Sequence, residues 1–426
     1  MSKFQLILLG VFGFFIIVAV AVFALYRGSG SDTVKVTIWG DISSRDFNQF
    51  TNSAGFTQDK NISITYVEKS TETLETEFTE ALARGGGPDL ILIAHDKLWK
   101  EKSKLLVIPY SSVSVRDFQQ TFIEEGELFL DPSGIYGLPL SSDPMVLYYN
   151  RDLLSSAGIA KPIGYWDEIY NSASKLTKKD QAGNLTQSIM ALGEARNIAH
   201  AKEILSLLLL QAGTPITRLV GSQWRAELMN NFNLPVSPAE SALEFYTQFS
   251  NPAKSFYSWN RSLIDAQTNF TSGSSAYYLG FASELGILRS KNPTLNFAVA
   301  PTPQSRVSGK TTTFGRLLAV SISRGTKDPS GALAVATKLV SNGSAKVLSE
   351  ILDLPSARRD LLSDEPDDAT LSVFYDGALQ ARGWLDPNAS MTRDIFHEAI
   401  ESITSGRART SEAINKANSE INALIK

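Results

Sequence analysis

Residues 134–169 read GIYGLPLSSDPMVLYYNRDLLSSAGIAKPIGYWDEI, and this stretch decides the fold. Two apolar runs, residues 135–140 and 145–149, flank the polar step at residues 141–144. Apolar runs bounded by turn residues are typical of strands, so the pattern predicts one strand that leaves a sheet and a second strand that begins beyond a break. The break at residues 141–144 is therefore a candidate hinge.

The first part of the chain predicts a membrane anchor. Every residue from Leu6 to Leu25 is apolar or Gly, and a helix of about 20 such residues crosses a hydrocarbon core of roughly 30 Å. We expect residues 1–27 to form an uncleaved transmembrane anchor, followed by a flexible Gly/Ser linker over residues 28–33. The alternative is a cleaved signal peptide, whose apolar core is shorter, about 7 to 15 residues. Cleavage stays open at this point.

Composition excludes several classes of protein. The chain has 426 residues and no Cys, which excludes a lipid tether on Cys, disulfide bonds and thiolate-ligated metals. Its 40 Lys and Arg against 44 Asp and Glu lack the basic excess of nucleic-acid-binding proteins. The roughly 390 residues beyond the linker are too many for one ordinary core and enough for two domains.

Strand and helix patterns alternate after the linker. Residues 34–39 and 62–67 are rich in β-branched side chains, which predicts two strands. A helical pattern follows and ends at residues 84–88, and the apolar run at residues 89–94 is typical of a strand buried on both faces. This order predicts an α/β fold with a largely parallel sheet.

Several stretches resemble one known family. The elements of residues 134–169 resemble the extracellular solute-binding proteins of ABC importers, in particular family 1, the maltose- and sugar-binding-protein-like group. Further stretches resemble this family in the same order along residues 34–426: ALARGGGPDLILIAHD (81–96), FYSWN (256–260), NFTSGSSAYYLGFASEL (269–285), FAVAPTP (297–303), LPSAR (354–358) and RGW (382–384).

The resemblance implies a periplasmic-binding-protein-like fold of class II, with two α/β lobes joined by a multi-segment hinge and preceded by one N-terminal transmembrane helix. On this interpretation lobe 1 comprises residues 34–142 and 299–342, and lobe 2 comprises residues 143–298 and 343–426. In open α/β sheets, ligands bind in crevices at the carboxyl ends of the strands. A ligand that contacts both lobes favours the closed state, the form that a transporter recognises.

Sugar recognition requires flat apolar surfaces for the C–H face of a pyranose and planar polar groups for its hydroxyls. By position in the family pattern, the resemblance implies these ligand-binding residues: Trp39, Asp41, His95, Asp96, Asp143, Tyr149, Trp259, Phe281 and Trp384. Each residue also has a structural interpretation. Asp96 could cap a helix, Asp143 could form an Asp-Pro turn, and the aromatic residues could belong to a core.

Enzyme motifs do not match the sequence. Residues 308–311 end like a phosphate-binding loop, but Gln304 stands where that motif needs its first Gly. The three His residues, His95, His200 and His397, are far apart and form no zinc-binding pair on a helix. We therefore expect no catalytic residue, no metal site and no cofactor.

The predicted function is that of a membrane-anchored extracellular substrate-binding protein of an ABC importer. It binds a carbohydrate, with an oligosaccharide expected, and delivers it to the transmembrane subunits of a permease. We expect a monomer that contacts the membrane through its N-terminal helix, binds no nucleic acid and carries its C-terminal body outside the cell or in the periplasm. Two alternatives stay open: a sensory or interaction protein on the same fold, and a glycosidase, which needs two carboxyl groups about 5 to 9.5 Å apart.

Overall fold

The computed structural model describes residues 33–306, 309–364 and 366–425. In this part of the chain the strands are β1 Val34–Gly40, β2 Ile62–Glu68, β3 Leu90–Ala94, β4 Leu105–Leu106, β5 Leu130–Asp131, β6 Gly134–Ile135, β7 Leu138–Asn150, β8 Lys178–Lys179, β9 Leu185–Met190, β10 Thr217–Val220, β11 Gln223–Ala226, β12 Ser275–Phe281, β13 Phe297–Ala300, β14 Thr313–Ser323 and β15 Ala381–Arg382. The α-helices are α1 Ser44–Ser53, α2 Leu74–Ala83, α3 Leu98–Glu101, α4 Val115–Thr121, α5 Arg151–Ser156, α6 Glu168–Leu176, α7 Ala201–Gln211, α8 Pro238–Thr247, α9 Ala266–Thr271, α10 Leu285–Lys291, α11 Pro329–Leu339, α12 Asn342–Leu352, α13 Arg359–Leu362, α14 Ala369–Gln380, α15 Ala389–Thr404 and α16 Thr410–Leu424.

One continuous sheet runs through the described part of the molecule, in the order β2-β1-β3-β14-β7-β12-β9-β8. Strands β1, β2 and β3 are parallel, and so are β9 and β12, as the alternation of strands and helices predicted. Strand β14 is antiparallel to both β3 and β7. The sheet is therefore mixed, and the prediction of a largely parallel sheet is wrong. The reason is that the two long central strands run in opposite directions to connect its two ends.

The predicted break at residues 141–144 is wrong, since β7 is one unbroken strand. Its first part pairs with β14 as far as Pro144, which lies opposite Gly315. From Met145 onward it pairs with β12, beginning at Phe281. The backbone of β7 stays hydrogen-bonded throughout, because the strand changes its pairing partner instead of leaving the sheet. This change of partner occurs where the sequence predicted a break.

Local sequence signals determine where several helices begin. The Ser43 hydroxyl accepts a hydrogen bond from the Asp46 N–H at the start of α1, at 3.1 Å. The Asn150 side chain accepts from the Asp152 and Leu153 N–H groups, each at 3.0 Å. Because such caps satisfy the free N–H groups of a first turn, Asn150 ends β7 and begins α5 in one residue.

In the described part of the chain, three clusters of packed apolar side chains form the cores of the lobes, two in lobe 1 and one in lobe 2. Lobe 1 is packed around β1, β3 and β14 and includes the fully buried Ile38 and Val320. Lobe 2 is packed around β9 and β12 and includes the fully buried Ile189 and Tyr277. Each lobe buries its own core, which is what a hinge motion between two rigid bodies requires.

The lobe boundaries predicted from the sequence remain a proposal. Leu348 and Leu362 pack with lobe 1 side chains, whereas Trp384 and Ile421 pack with lobe 2. Between them, Phe374 packs with lobe 2 whereas Ala378 and Leu385 still pack with lobe 1. This packing supports a final crossing to lobe 2 over residues 374–385, later in the chain than the proposed boundary after residue 342.

The predicted anchor and nearly all of the linker, residues 1–32, lie outside the described residues. Among the residues that the structure describes, no helix combines the length and the apolar composition needed to cross a membrane. The anchor therefore stays a prediction from the sequence.

Candidate functional site

A cavity of about 440 Å³ lies between the two lobes. Its lobe 1 wall follows the carboxyl ends of β2 and β3 and consists of Thr71, Glu72, Glu75, Thr76, Asp96, Lys97 and Lys100. Its lobe 2 wall comes from the first turns of α7 and α15 and the residue before α15, and consists of Lys202, Glu203, Asn388, Ala389, Ser390 and Arg393. We call this cavity the cleft. Its position at the carboxyl ends of the strands is that of a ligand site in an α/β fold.

Ion pairs hold most of the charged side chains of the cleft. Lys97 and Lys100 lie 3.4 and 2.8 Å from the two oxygens of Glu75. On the other wall, Lys202 pairs with the buried Asp386. These pairs fix the side chains, so the cleft presents a polar surface whose shape exists before any ligand arrives.

Two carboxylates of the lobe 1 wall are free to accept hydrogen bonds. Glu72 and Asp96 line the cleft, and within the described part of the chain neither side chain has a hydrogen bond or ion pair. Ionised carboxylates only accept hydrogen bonds, and each can accept several. A hydroxyl-rich molecule in the cleft would supply the matching donors.

Three of the five aromatic rings predicted to bind ligand each have a cation over one face. The ammonium of Lys69 is 4.2 Å from the ring centroid of Trp39, and the ammonium of Lys202 is 5.4 Å from that of Trp384. Phe281 has the same arrangement under a guanidinium, that of Arg316. Cations bind the faces of aromatic rings, so these three rings support charged groups instead of presenting bare faces to the cleft.

Asp41 and His95, both in lobe 1, have different surroundings. Asp41 is exposed and accepts a hydrogen bond from Thr71, which lines the cleft, at 3.2 Å. His95 is buried, and its Nδ1 accepts from the Leu317 N–H at 3.1 Å. Burial lowers the pKa of His95 to about 4, so the ring is neutral at pH 7 and packs between β14 and the segment that contains Gly383.

Asp143 lies where the two lobes meet. Its backbone lies opposite that of Arg316 in the register of β7 and β14. Its carboxylate accepts hydrogen bonds from the N–H and hydroxyl of Ser283, at 2.9 and 2.7 Å. Burial raises the pKa of Asp143, and the hydrogen bonds from Ser283 oppose that rise. Its contact with Ser283 ties β7 to the residues that follow β12.

Tyr149, Trp259 and Trp384 pack in or against the lobe 2 core. Tyr149 is partly buried near the end of β7. Trp259 is fully buried, and its indole N–H donates to Asn197 at 3.0 Å. Trp384 is 3% exposed and donates to the Ser206 hydroxyl at 3.3 Å. Of the nine nominated residues only Asp96 lines the cleft directly, and their role in binding stays a prediction.

A hydrogen-bonded cluster around Glu284 holds the backbone of Phe281 in place. Glu284 accepts from His200, Tyr278 and the Phe281 N–H at 2.7, 2.6 and 2.9 Å. Burial raises the pKa of Glu284, but these hydrogen bonds and the charge of His200 outweigh it and lower the pKa to about 2. The ionised carboxylate therefore holds the end of β12 against the residue that precedes α7.

Sequence reasoning did not nominate several residues of the cleft. Lys202 and Glu203 line it from the first turn of α7, and Arg316 reaches Glu203 at 3.3 Å from β14. A signal existed for Glu72, since it follows shortly after the carboxyl end of the strand predicted at residues 62–67, observed as β2. No sequence signal placed α7 and α15 opposite that strand, because their juxtaposition depends on tertiary structure.

A second cavity, of about 390 Å³, lies within lobe 2 and is lined largely by apolar side chains, including Tyr170 and Phe245. Its polar groups already have partners. The indole N–H of Trp166 donates to Gln211 at 2.6 Å, and Arg306 pairs with Asp167 at 2.9 Å. The cleft, with free carboxylates and walls from both lobes, is therefore the stronger candidate for a ligand site.

The comparison of sequences points to one family. A family model described as bacterial extracellular solute-binding protein matches residues 42–346. Candidate binding proteins of Brucella abortus and Brucella suis are 31% identical to the chain over 109 residues, or 25% of its length. The match spans about a quarter, 26%, of the length of these curated relatives.

Solved structures share the fold at low sequence identity. A cyclic α-maltosyl-1,6-maltose binding protein from Arthrobacter globiformis has a TM-score of 0.76 at 15% identity, over 92% of this chain and 99% of that one. A cyclo/maltodextrin-binding protein in complex with maltotetraose has a TM-score of 0.75 at 19% identity, over 93% and 99%. A solute-binding protein of an ABC transporter from Thermotoga lettingae, bound to α-D-tagatose, has 0.66 at 19%, over 92% and 100%.

Proposed function

Since the chain belongs to the family of bacterial extracellular solute-binding proteins, we propose that it is the membrane-anchored substrate-binding protein of an ABC importer. It binds a carbohydrate in the cleft by hinge closure and delivers it to a permease. The observation that carries this proposal is the polar cleft itself, because its walls come from both lobes and lie at the carboxyl ends of the strands.

The chemistry of the cleft supports a hydroxyl-rich solute. Glu72 and Asp96 offer free acceptors on the lobe 1 wall, while Asn388 and Ser390 add an amide and a hydroxyl on the lobe 2 wall. Sugar hydroxyls both donate and accept hydrogen bonds and so match such a mixed surface. The similar structures named above were solved with sugars bound or carry sugar-binding names, which makes a carbohydrate the first class to test.

The proposed closure of the two lobes follows from the position of polar groups on both walls of the cleft. A solute between the walls gains contacts with both lobes only when the lobes approach, so its binding energy shifts the population toward the closed form. The change of strand partner at Pro144 and Met145 offers a hinge position within β7. Strand β14, which pairs with β7 there, is the second crossing.

The proposed role involves no bond chemistry. The carboxyl groups whose pKa burial raises include Glu125, Asp143 and Asp386, and none of these three belongs to the walls of the cleft. A glycosidase needs such a carboxylic acid beside its substrate. The family, which is one of solute-binding proteins, agrees with a receptor.

The membrane and the permease are proposed as partners from the sequence. Residues 6–25 would hold the body at the membrane, and the Gly/Ser linker would let it turn toward the transmembrane subunits of the permease. We propose a monomer whose C-terminal body lies outside the cell or in the periplasm, the compartment in which an importer collects its solute.

Calorimetry on the full chain tests the proposal with maltotriose, mannotriose and tagatose. We expect at least one sugar to bind and to be recovered unchanged after long incubation. Asp96→Asn should weaken that binding about 10-fold or more, the effect of losing a hydrogen bond to a charged group. Glu80→Gln is the matched control and should bind normally, because Glu80 is an exposed carboxylate of α2 that forms an ion pair with Arg84. Failure of every sugar to bind, or release of a cleaved product, would overturn the proposal.

A further inference from the structure

Two tryptophans from opposite lobes contact each other beside the cleft. Trp99 lies on α3 in lobe 1, and Trp224 lies on β11 of the hairpin formed by β10 and β11. Their ring centroids are 5.6 Å apart and the ring planes meet at 90°. This edge-to-face arrangement is a favourable geometry for an aromatic pair.

The hairpin that carries Trp224 is bound to lobe 2. The Ala226 N–H donates to the Asn422 side chain at 3.0 Å, and the Leu228 N–H, just beyond the hairpin, donates to the Asn418 side chain at 3.1 Å. Helix α16, which contains Asn422, packs in the lobe 2 core through Ile421. Trp224 therefore moves with lobe 2 when the lobes separate.

Trp99 is fixed to lobe 1 in the same way. It lies on α3, directly after β3, and packs against a cluster that includes the buried Leu74 and Leu98. Trp224 packs against the same cluster from the hairpin. Lys97 and Lys100, the neighbours of Trp99, line the cleft, whereas neither tryptophan is among the lining residues. The pair consequently spans the two lobes without facing the place where a solute would bind.

We infer that Trp99 and Trp224 form a latch that stabilises the closed arrangement of the lobes and thereby strengthens solute binding without contacting the solute. Opening the hinge must separate the rings, because each is fixed to a different lobe. The latch raises the fraction of closed molecules in the absence of solute. Because the closed form is the one that binds, a larger closed fraction raises the apparent affinity by the same factor for every solute. The effect on affinity rests on the proposed function, whereas the effect on the lobes does not.

The expected size follows from the energetics of aromatic pairs. Such a pair contributes a factor of roughly 2 to 12 in an equilibrium constant beyond the area it buries. Removing one ring should therefore lower the ratio of closed to open molecules by at least this factor. An effect of this size is large enough to measure when both states are populated.

Distance measurements between the lobes provide the first test. The chain has no Cys, so a full chain carrying Gln58→Cys in lobe 1 and Ser262→Cys in lobe 2 takes two dyes without competing sites. Without any sugar, Trp224→Ala should shift the distance distribution toward the open state. Trp99→Ala should do the same, and the double variant should add little to either single change.

Val220→Ala is the matched control on the same hairpin, since β-strand alternation places Val220 on the face opposite Trp224 and its register partner Leu219. It should leave the distances unchanged. Trp224→Phe keeps a smaller ring and should give an intermediate shift, which guards against a folding defect in Trp224→Ala. Unchanged distances in both alanine variants, with normal circular dichroism, would overturn the latch.

Binding provides the second test. Trp224→Ala should weaken affinity by one common factor for each sugar that the unaltered chain binds, whereas Asp96→Asn should affect different sugars unequally. Factors for Trp224→Ala that vary from sugar to sugar would show a direct contact and overturn the inference. If the unaltered chain binds no sugar, the proposed function fails, and the distance measurement still decides whether the latch exists.

Discussion

The guanidinium of Arg316 lies 3.7 Å from the ring centroid of Phe281. Arg316 extends from β14, which crosses between the lobes, while Phe281 ends β12 in lobe 2. The same guanidinium approaches Glu203 at 3.3 Å. One side chain thus covers an aromatic ring and joins the crossing strand to the first turn of α7.

Arg316→Met should lower the free energy of unfolding by about 0.5–2 kcal/mol, chiefly through loss of the cation–π contact. The ion pair with Glu203 adds little, because Arg316 is 41% exposed in that pair. Urea denaturation measures the change. Arg84→Met, which removes an exposed ion pair on α2, is the control and should change stability by less than Arg316→Met does.

Trp259→Ala should cost about 3–5 kcal/mol of stability, because it empties the site of a fully buried ring in the lobe 2 core. The indole also donates to Asn197, which would lose its partner. If Trp259 only supports the core, the folded fraction should keep its affinity for sugar. A variant that stays stable but loses binding would instead place Trp259 against the solute.

Glu125 should make stability depend on pH. Burial raises its pKa from 4.5 to about 8, so the folded state holds a proton that the unfolded chain releases above about pH 4.5. The resulting stabilisation is complete below that pH and declines as the pH rises through about 8. Compared with Glu125→Gln, the unaltered chain should lose stability between pH 5 and 8, by up to roughly 1.4 kcal/mol per pH unit.

Urea denaturation at pH 5, 6.5 and 8 measures this dependence. Glu127→Gln, at an exposed position two residues away, is the control and should follow the unaltered chain. Parallel stability curves for Glu125→Gln and the unaltered chain would contradict the prediction.

Gly383→Ala should destabilise the protein by about 1–3 kcal/mol through overpacking. A Cβ at residue 383 would lie 2.6 Å from His95 Nε2 and 3.0 Å from Leu128 Cδ1. Thermal unfolding measures the effect. Gly286→Ala is the control, because its Cβ would meet no atom within 4 Å and residue 286 lies within α10. There the exchange should be neutral or stabilising, since Ala favours helix, and equal losses at both sites would contradict this explanation.

Much of the local structure was predictable from the sequence. The strands predicted at residues 34–39, 62–67 and 89–94 match β1, β2 and β3 to within one residue at each end, because β-branched and continuous apolar runs report burial directly. Helix α5 begins directly after Asn150, because the side chain of Asn150 caps its first turn. The break predicted at residues 141–144 is wrong, since a strand's change of pairing partner has no signature in the hydrophobic pattern.

The cleft was less predictable than the fold. Asp96 was nominated and lines it, whereas the cations above Trp39, Phe281 and Trp384 were not foreseen. Lys202 illustrates the reason: it packs against Trp384 and pairs with Asp386, far along the chain. Contacts at such sequence separation depend on how the elements pack.

The amino-acid sequence alone determined the class of fold, the positions of the main strands and the absence of Cys, because these depend on local pattern and composition. It also provides the present basis for the membrane anchor. Tertiary structure decided that β7 and β14 form one sheet across both lobes, which side chains face the cleft, and that Trp99 meets Trp224. These features arise from packing between distant segments, where the energy of each contact depends on geometry that no local pattern encodes.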